Sequence, residues 1–130
     1  MANSLSFKCI MGVVPGYATN WRQKLKFKLM TDKQAVALAT KVWHKVATSF
    51  LDGEWSVYVS ACIQPSRVVY NGCPAGGEPA VEITGEYLDG ISVELWKECV
   101  VATISEVKKE LGQKDVFITF TGCECTNLSD

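Results

Sequence analysis

Apolar and polar residues alternate over residues 4–11, with Leu5, Phe7 and Cys9 on one side and Ser6, Lys8 and Ile10 on the other. That period of two predicts a strand. Residues 12–20 hold Pro15 between Gly12 and Gly16 and read as a connecting loop. The alternation returns over residues 24–30, setting Leu25, Phe27 and Leu29 against Lys24, Lys26 and Lys28, and predicts a second strand. At Thr31 the period changes. Thr31-Asp32-Lys33-Gln34 has the form of a capping box, in which the Thr hydroxyl and the Gln side chain each satisfy an orphan amide at a helix start. From there Ala35, Leu38, Ala39, Val42, Trp43, Val46, Ala47 and Phe50 recur at spacings of three and four, which is one buried helical stripe. Asp52-Gly53 ends it.

Residues 54–63 alternate Trp55, Val57, Val59, Ala61 and Ile63 with smaller, more polar residues and predict a strand. Residues 64–79 are rich in proline and glycine around a short β-like stretch, Arg67-Val68-Val69-Tyr70, and read as a long structured excursion. A further strand is predicted over 80–87. A second helix follows over 92–111, with Val93, Trp96, Val100, Ile104, Val107 and Leu111 as its core stripe and Gly112 as its stop. A last strand covers 115–121 and a polar tail 124–130.

These elements divide the chain into an N-terminal strand and loop (1–23), a first βαβ half (24–63), the excursion (64–79), a second βαβ half (80–123) and the tail (124–130). A shift of 61 residues lays Glu54-to-Cys62 on Asp115-to-Cys123 and brings the two helices into register, as an internal duplication would. The expected fold is α/β (α+β): one domain over 1–130, with a tandem βαβ repeat and both helices on one face of a mixed sheet, because βαβ crossovers are right-handed. A ferredoxin-like sheet satisfies the same element order, since the two arrangements differ only in which strands are neighbours.

A chain of 130 residues with 48% hydrophobic content carries enough apolar material for a core of its own. Thirteen basic and fourteen acidic residues give a formal net charge of −1, so the whole-molecule field does not attract nucleic acid or anionic lipid, and neither is expected as a partner. No signal peptide pattern or membrane span is read, and a cytoplasmic location is the expectation. Cys9, Cys62, Cys73, Cys99, Cys123 and Cys125 are dispersed and read as reduced thiols. A single CxC with one His in the chain is too little for structural zinc, so no metal and no cofactor are expected.

The element order, Val69-Tyr70-Asn71-Gly72 followed by Gly76-Gly77-Glu78-Pro79 and a strand, and the passage Leu111-Gly112-Gln113-Lys114-Asp115-Val116-Phe117-Ile118-Thr119-Phe120 together resemble the tautomerase superfamily, specifically the macrophage migration inhibitory factor group. The resemblance implies a homo-oligomer, a trimer by the family's habit, with clefts between subunits. It also implies a proline-based reaction that this chain departs from, because Ala2 follows Met1 and Pro15 is internal. On the last strand the family's aromatic hydroxyl and amide fall on Phe117 and Thr119, and Phe117 lacks the hydroxyl. The expectation is therefore a tautomerase-like binding module for a small anionic molecule or a protein, leaning away from catalysis. Its candidate ligand residues are Arg67, Tyr70, Lys28, Leu88, Phe117 and Thr119. Two alternatives stand beside it: a ferredoxin-like small-ligand sensor using Arg67 and Tyr70, and an isomerase using a non-proline base such as a lysine.

Other residues have blander readings. His44 falls with Lys33, Lys41 and Thr48 on the polar side of its helix and reads as solvated. Lys24, Lys26 and Lys28 read first as protection of a strand edge. Glu78, Glu82, Glu86 and Asp89 form a carboxylate cluster whose paired acid/base use is the less common case. Trp43 and Trp96 read as packing, and Trp21 as the tryptophan that faces a partner.

Overall fold

The computed structural model describes residues 2–16, 20–51, 59–73, 75–87, 91–126 and 128. The elements are β1 (Ala2–Gly12), α1 (Trp21–Leu29), α2 (Asp32–Leu51), β2 (Cys62–Val68), β3 (Glu78–Glu86), α3 (Val93–Glu110) and β4 (Ile118–Cys125). The fold is α+β. Its four strands form one sheet in the order β2-β3-β1-β4, and every neighbouring pair is antiparallel. The expected mixed sheet is thus corrected: each helical crossover carries the chain past a neighbour, so parallel strands never adjoin.

Period-two patterning places Phe7, Cys9 and Met11 of β1 and Val81 and Ile83 of β3 on one face. The helices cover that face. Ala39, Val42, Trp43 and Val46 of α2 and Trp96, Val100, Ile104 and Val107 of α3 join the strand residues in a single core cluster. Aromatic rings occupy its centre. Phe7 stacks on Trp43 at 6.3 Å and meets Trp96 at 6.0 Å, and Trp96 meets Tyr87 and Phe120 at 5.7 and 5.9 Å. The Trp43 indole N–H donates to the Val59 carbonyl at 3.2 Å, so burying the ring strands no donor. A Cβ on Gly85, which pairs with Phe7, would lie 2.4 Å from the Phe7 ring, so this position admits only glycine.

Both long helices start as predicted. Thr31 and Gln34 exchange the two capping-box hydrogen bonds, at 2.9 and 3.1 Å, and the Ser92 side chain caps α3 by accepting from the Leu95 amide at 3.1 Å.

Two elements differ from expectation. Residues 24–30, read as a strand, belong to helix α1. Asn20 caps it, accepting from the Gln23 amide at 2.9 Å, and Phe27 alone is buried while its apolar neighbours point outward. Leu25 and Leu29 are four apart, a spacing that shares one face in a strand and in a helix, and Arg, Gln, Lys and Leu are all good helix formers. Of the strand expected at 54–63, residues 54–58 lie outside the described residues, and Cys62 and Ile63 open β2, which runs on to Val68 into the expected excursion. Cys62 opens β2 whereas Cys123 lies near the close of β4, so a shift of 61 residues does not superpose these two strands. What remains of the excursion is the β2–β3 connection, residues 69–77.

Candidate functional site

Among the described residues no helix covers one face of the sheet. It carries Ser6, Lys8 and Ile10 from β1, Glu78, Glu82, Thr84 and Glu86 from β3, Cys62, Gln64 and Ser66 from β2, and Thr119, Thr121 and Cys123 from β4. Lys8 and Glu82 pair across the strands at 3.3 Å. The Cys125 thiol approaches the Glu86 carboxylate at 3.7 Å. A shallow groove of about 580 Å³ runs over this face, bordered by Ser6, Lys8, Cys62, Thr84, Glu86 and Thr121.

At the end of β3 lies a more unusual corner. Tyr70, Asn71, Gly72 and Cys73 form a tight turn closed from both sides. The Cys73 amide donates to the Tyr70 carbonyl at 3.1 Å, and the Tyr70 amide donates to Cys73 Sγ at 3.4 Å. Gly72 has φ +91°, which a side chain would strain. The turn buries the Tyr70 hydroxyl on the side of Glu78, where its influence lowers the pKa of the carboxyl.

Glu78 is drawn in against β1. A Cβ on Gly12 would come within 2.9 Å of Glu78 Oε1 and 2.7 Å of Gln113 Oε1, so the bare backbone at Gly12 makes room for both side chains. Gln113 is anchored by its amide donating to the carbonyls of Val14 at 3.2 Å and Leu111 at 3.1 Å. Burial raises the Glu78 carboxyl above its ordinary value, and the neighbouring Tyr70 hydroxyl offsets part of the rise. A partly desolvated carboxyl beside a phenol can pair with a substrate cation, or exchange a proton at a higher pH than a free carboxyl would.

The six residues singled out in the sequence do not form one site. Tyr70 belongs to the corner just described. Arg67, on the adjoining strand, is engaged elsewhere: its guanidinium donates to Asp32 Oδ1 at 2.7 and 3.1 Å and to the Met30 carbonyl at 3.5 Å, tying β2 to the start of α2. Lys28 is on the exposed side of α1, near Ala75 of the β2–β3 connection. Thr119 and the 83%-exposed Phe117 belong to the opposite edge of the sheet, beside β1 rather than β2. Leu88 and Asp89 lie outside the described residues. His44 is exposed on α2.

Cys9 and Cys99 are core thiols. Burial pushes Cys9 up to about 11, and burial with the Glu98 charge raises Cys99, so neither offers a thiolate nucleophile at neutral pH. Among the described residues no three His, Cys, Asp or Glu side chains gather to hold a metal. No helix among them is long and apolar enough to cross a membrane.

Sequence reasoning placed Glu78 in a carboxylate cluster but could not single it out. It missed Cys73 and Gln113, whose parts depend on contacts across the fold. The signal that pointed nearest was the pair of glycines before Glu78, which allow the chain to turn sharply into β3.

The model of the SAM lyase family matches residues 3–129 of the chain. The chain belongs to the SAM lyase family. Solved structures agree on the fold. A phage SAM lyase in its apo state superposes with a TM-score of 0.53 at 18% identity, covering 92% of this chain and 81% of that one. A phage SAM lyase in complex with S-methyl-5'-thioadenosine gives 0.50 at 17% identity, covering 91% and 80%. No curated protein matches the chain.

Family membership overturns three expectations. The tautomerase resemblance fails, because it rested on element order and short glycine-containing passages that many βαββαβ chains share. The non-enzymatic binding module and the leaning away from catalysis fail with it, since the absence of an N-terminal proline argues only against proline chemistry.

Proposed function

We propose that this chain is a SAM lyase that breaks the bond between the sulfonium sulfur and the γ-carbon of the methionine-derived chain of S-adenosylmethionine, releasing 5'-methylthioadenosine. The observation that carries the reading is the family match over nearly the whole chain. The buried Tyr70–Glu78 corner supports it as the polar anchor of the site.

The chemistry fits a site with modest equipment. A sulfonium leaves as a neutral thioether, so the breaking bond hands its electron pair to sulfur and needs no acid. A lyase adds no water, so the four-carbon fragment must complete its own valence. Its carboxylate can close on the γ-carbon as a five-membered lactone without losing a proton. Elimination would instead require removal of an unactivated β-hydrogen, a demanding task for a weak base such as a carboxylate. We therefore favour lactone closure, in which the protein binds, orients and excludes water.

Glu78 would be misplaced against the sulfonium itself, because that positive charge disappears in the transition state and pairing it would stabilise the ground state. Its suitable partner is the α-ammonium group, whose charge persists. Tyr70, which lowers the carboxyl's pKa, favours the ionised form needed for that contact.

A ligand of this size is usually buried over most of its surface, whereas the depressions on a single chain are open. We propose that the bare sheet face, which adjoins the corner, associates with further copies, as a trimer, to enclose the substrate. The β2-β3-β1-β4 order, with its two crossover helices, we read as ferredoxin-like.

Incubating the protein with S-adenosylmethionine in ¹⁸O-water and analysing the products by mass spectrometry tests the reaction. Methylthioadenosine together with an unlabelled lactone is expected. Primary incorporation of ¹⁸O into the four-carbon product would make the enzyme a hydrolase, and the absence of methylthioadenosine would remove the proposal.

A further inference from the structure

Helix α1 uses only one of its residues for the core. At 100° per residue, Trp21, Leu25 and Leu29 fall within an arc of about 80°, and Phe27 faces the other way. Phe27 is fully buried, whereas Trp21, Leu25 and Leu29 are 69%, 44% and 66% exposed. Exposed cations flank this apolar stripe on both sides, Lys24 and Lys28 along one edge and Arg22 and Lys26 along the other. The helix contains no acidic residue. Outside it nine basic residues face fourteen acidic ones, so the near-neutral total conceals a strongly segregated positive surface. A second apolar depression, lined by Val13, Val14, Pro15, Leu29, Met30 and Leu38 among others, continues the stripe from its C-terminal end.

We propose that α1 is an interfacial element by which the protein binds weakly and reversibly to an anionic lipid surface. Trp21, Leu25 and Leu29 enter the boundary between headgroups and acyl chains, and the flanking cations sit at the level of the phosphates. The arrangement favours lipid over a folded acidic partner for two reasons. The cations border the apolar stripe on both edges, as a helix lying in a planar interface requires. Lysine and arginine stems are also long enough to reach headgroups on either side while the stripe is immersed. Charge complementarity identifies the surface as anionic, since four cations without a counter-charge on the same helix gain little at a zwitterionic bilayer. The inference is independent of the lyase reading, because it uses no residue of the Tyr70–Glu78 corner.

The test is flotation of the full chain with vesicles of phosphatidylcholine alone and of phosphatidylcholine with phosphatidylglycerol in equal parts. Binding to the mixed vesicles only, released by raised salt, is expected. The double variant Lys24→Glu/Lys26→Glu and the variant Leu25→Ser should each lower the bound fraction at least about tenfold. All three side chains are exposed, and an unchanged near-UV circular dichroism spectrum establishes that the variants are folded. Failure of the wild type to float with the mixed vesicles overturns the proposal, as does undiminished flotation of folded variants. An oligomer that Leu25→Ser dissociates would also overturn it, by showing that a second copy covers the stripe.

Discussion

The two faces of the sheet are made from the same four strands and serve opposite ends. On the helix-covered face, Phe7, Cys9, Val81 and Ile83 are at most 2% exposed and locked among aromatic rings. On the bare face, residues one position along the same strands are Lys8, Glu82, Thr84 and Glu86, held by one cross-strand ion pair and little else. The contrast teaches that stability and chemistry are partitioned by strand parity. Substitutions at odd positions of β1 and β3 should act on folding, and those at even positions on binding or turnover.

The largest effect expected on the closed face comes from Phe7→Ala, which removes the ring stacked on Trp43 and tilted against Trp96. A loss of about 3–5 kcal/mol is expected in denaturant unfolding. A loss below about 1 kcal/mol would mean that the core does not depend on that face.

On the bare side, Glu78→Gln should lower turnover of S-adenosylmethionine by about 10²-fold or more without lowering stability. The sign follows from linkage. The folded carboxyl titrates above its unfolded value, so the fold favours the protonated form: its stabilising contribution is fully present below the unfolded pKa and is lost as pH rises through the folded one. The amide mimics the protonated state, so melting at neutral pH should stay level or rise while activity falls. The wild-type rate should in turn decline on acidification, at a pH displaced upward from that of a free glutamate, because ionised Glu78 is the form that pairs with an ammonium. A variant that loses stability and activity together would make Glu78 a structural residue.

Gly12→Ala probes the junction of the two faces. Its Cβ would press on Glu78 and Gln113, and about 1–3 kcal/mol of overpacking is expected, with a higher KM for substrate if Glu78 is displaced. The smallest effect is that of Lys8→Ala. The Lys8–Glu82 pair is solvent-exposed, with the side chains 57% and 33% accessible, and should contribute no more than about 0.2–1 kcal/mol, diminishing in salt. A larger cost would show that the bare face is covered in solution.

Legibility in the sequence followed the range of the determining contacts. The capping box at Thr31, the Ser92 start of α3 and both helical stripes are set within four or five residues, and they stand in the structure as read. The alternation in β1 likewise fixed which residues turn inward. Residues 24–30 differ from their alternation because the helix that Asn20 caps buries Phe27 alone and leaves Leu25 and Leu29 exposed on the other side. The boundaries of β2 failed for a different reason. Pro65 discourages a strand locally, yet pairing with β3 from Cys62↔Thr84 to Val68↔Glu78 carries one through it.

The site was less legible than the fold. Arg67 looked free in sequence, but Asp32, 35 residues away, claims its guanidinium. Glu78 looked like one acid among several, and only its position against Gly12, Gln113 and Tyr70 desolvates it. Sequence by itself determined the helices, their caps, the inward residues of β1 and the near-zero total charge, because each is a property of neighbours along the chain or of a sum. Tertiary structure alone decided the strand order and the partial burial of one carboxyl among many. Those depend on which distant segments exclude water from one another, and no local pattern records that.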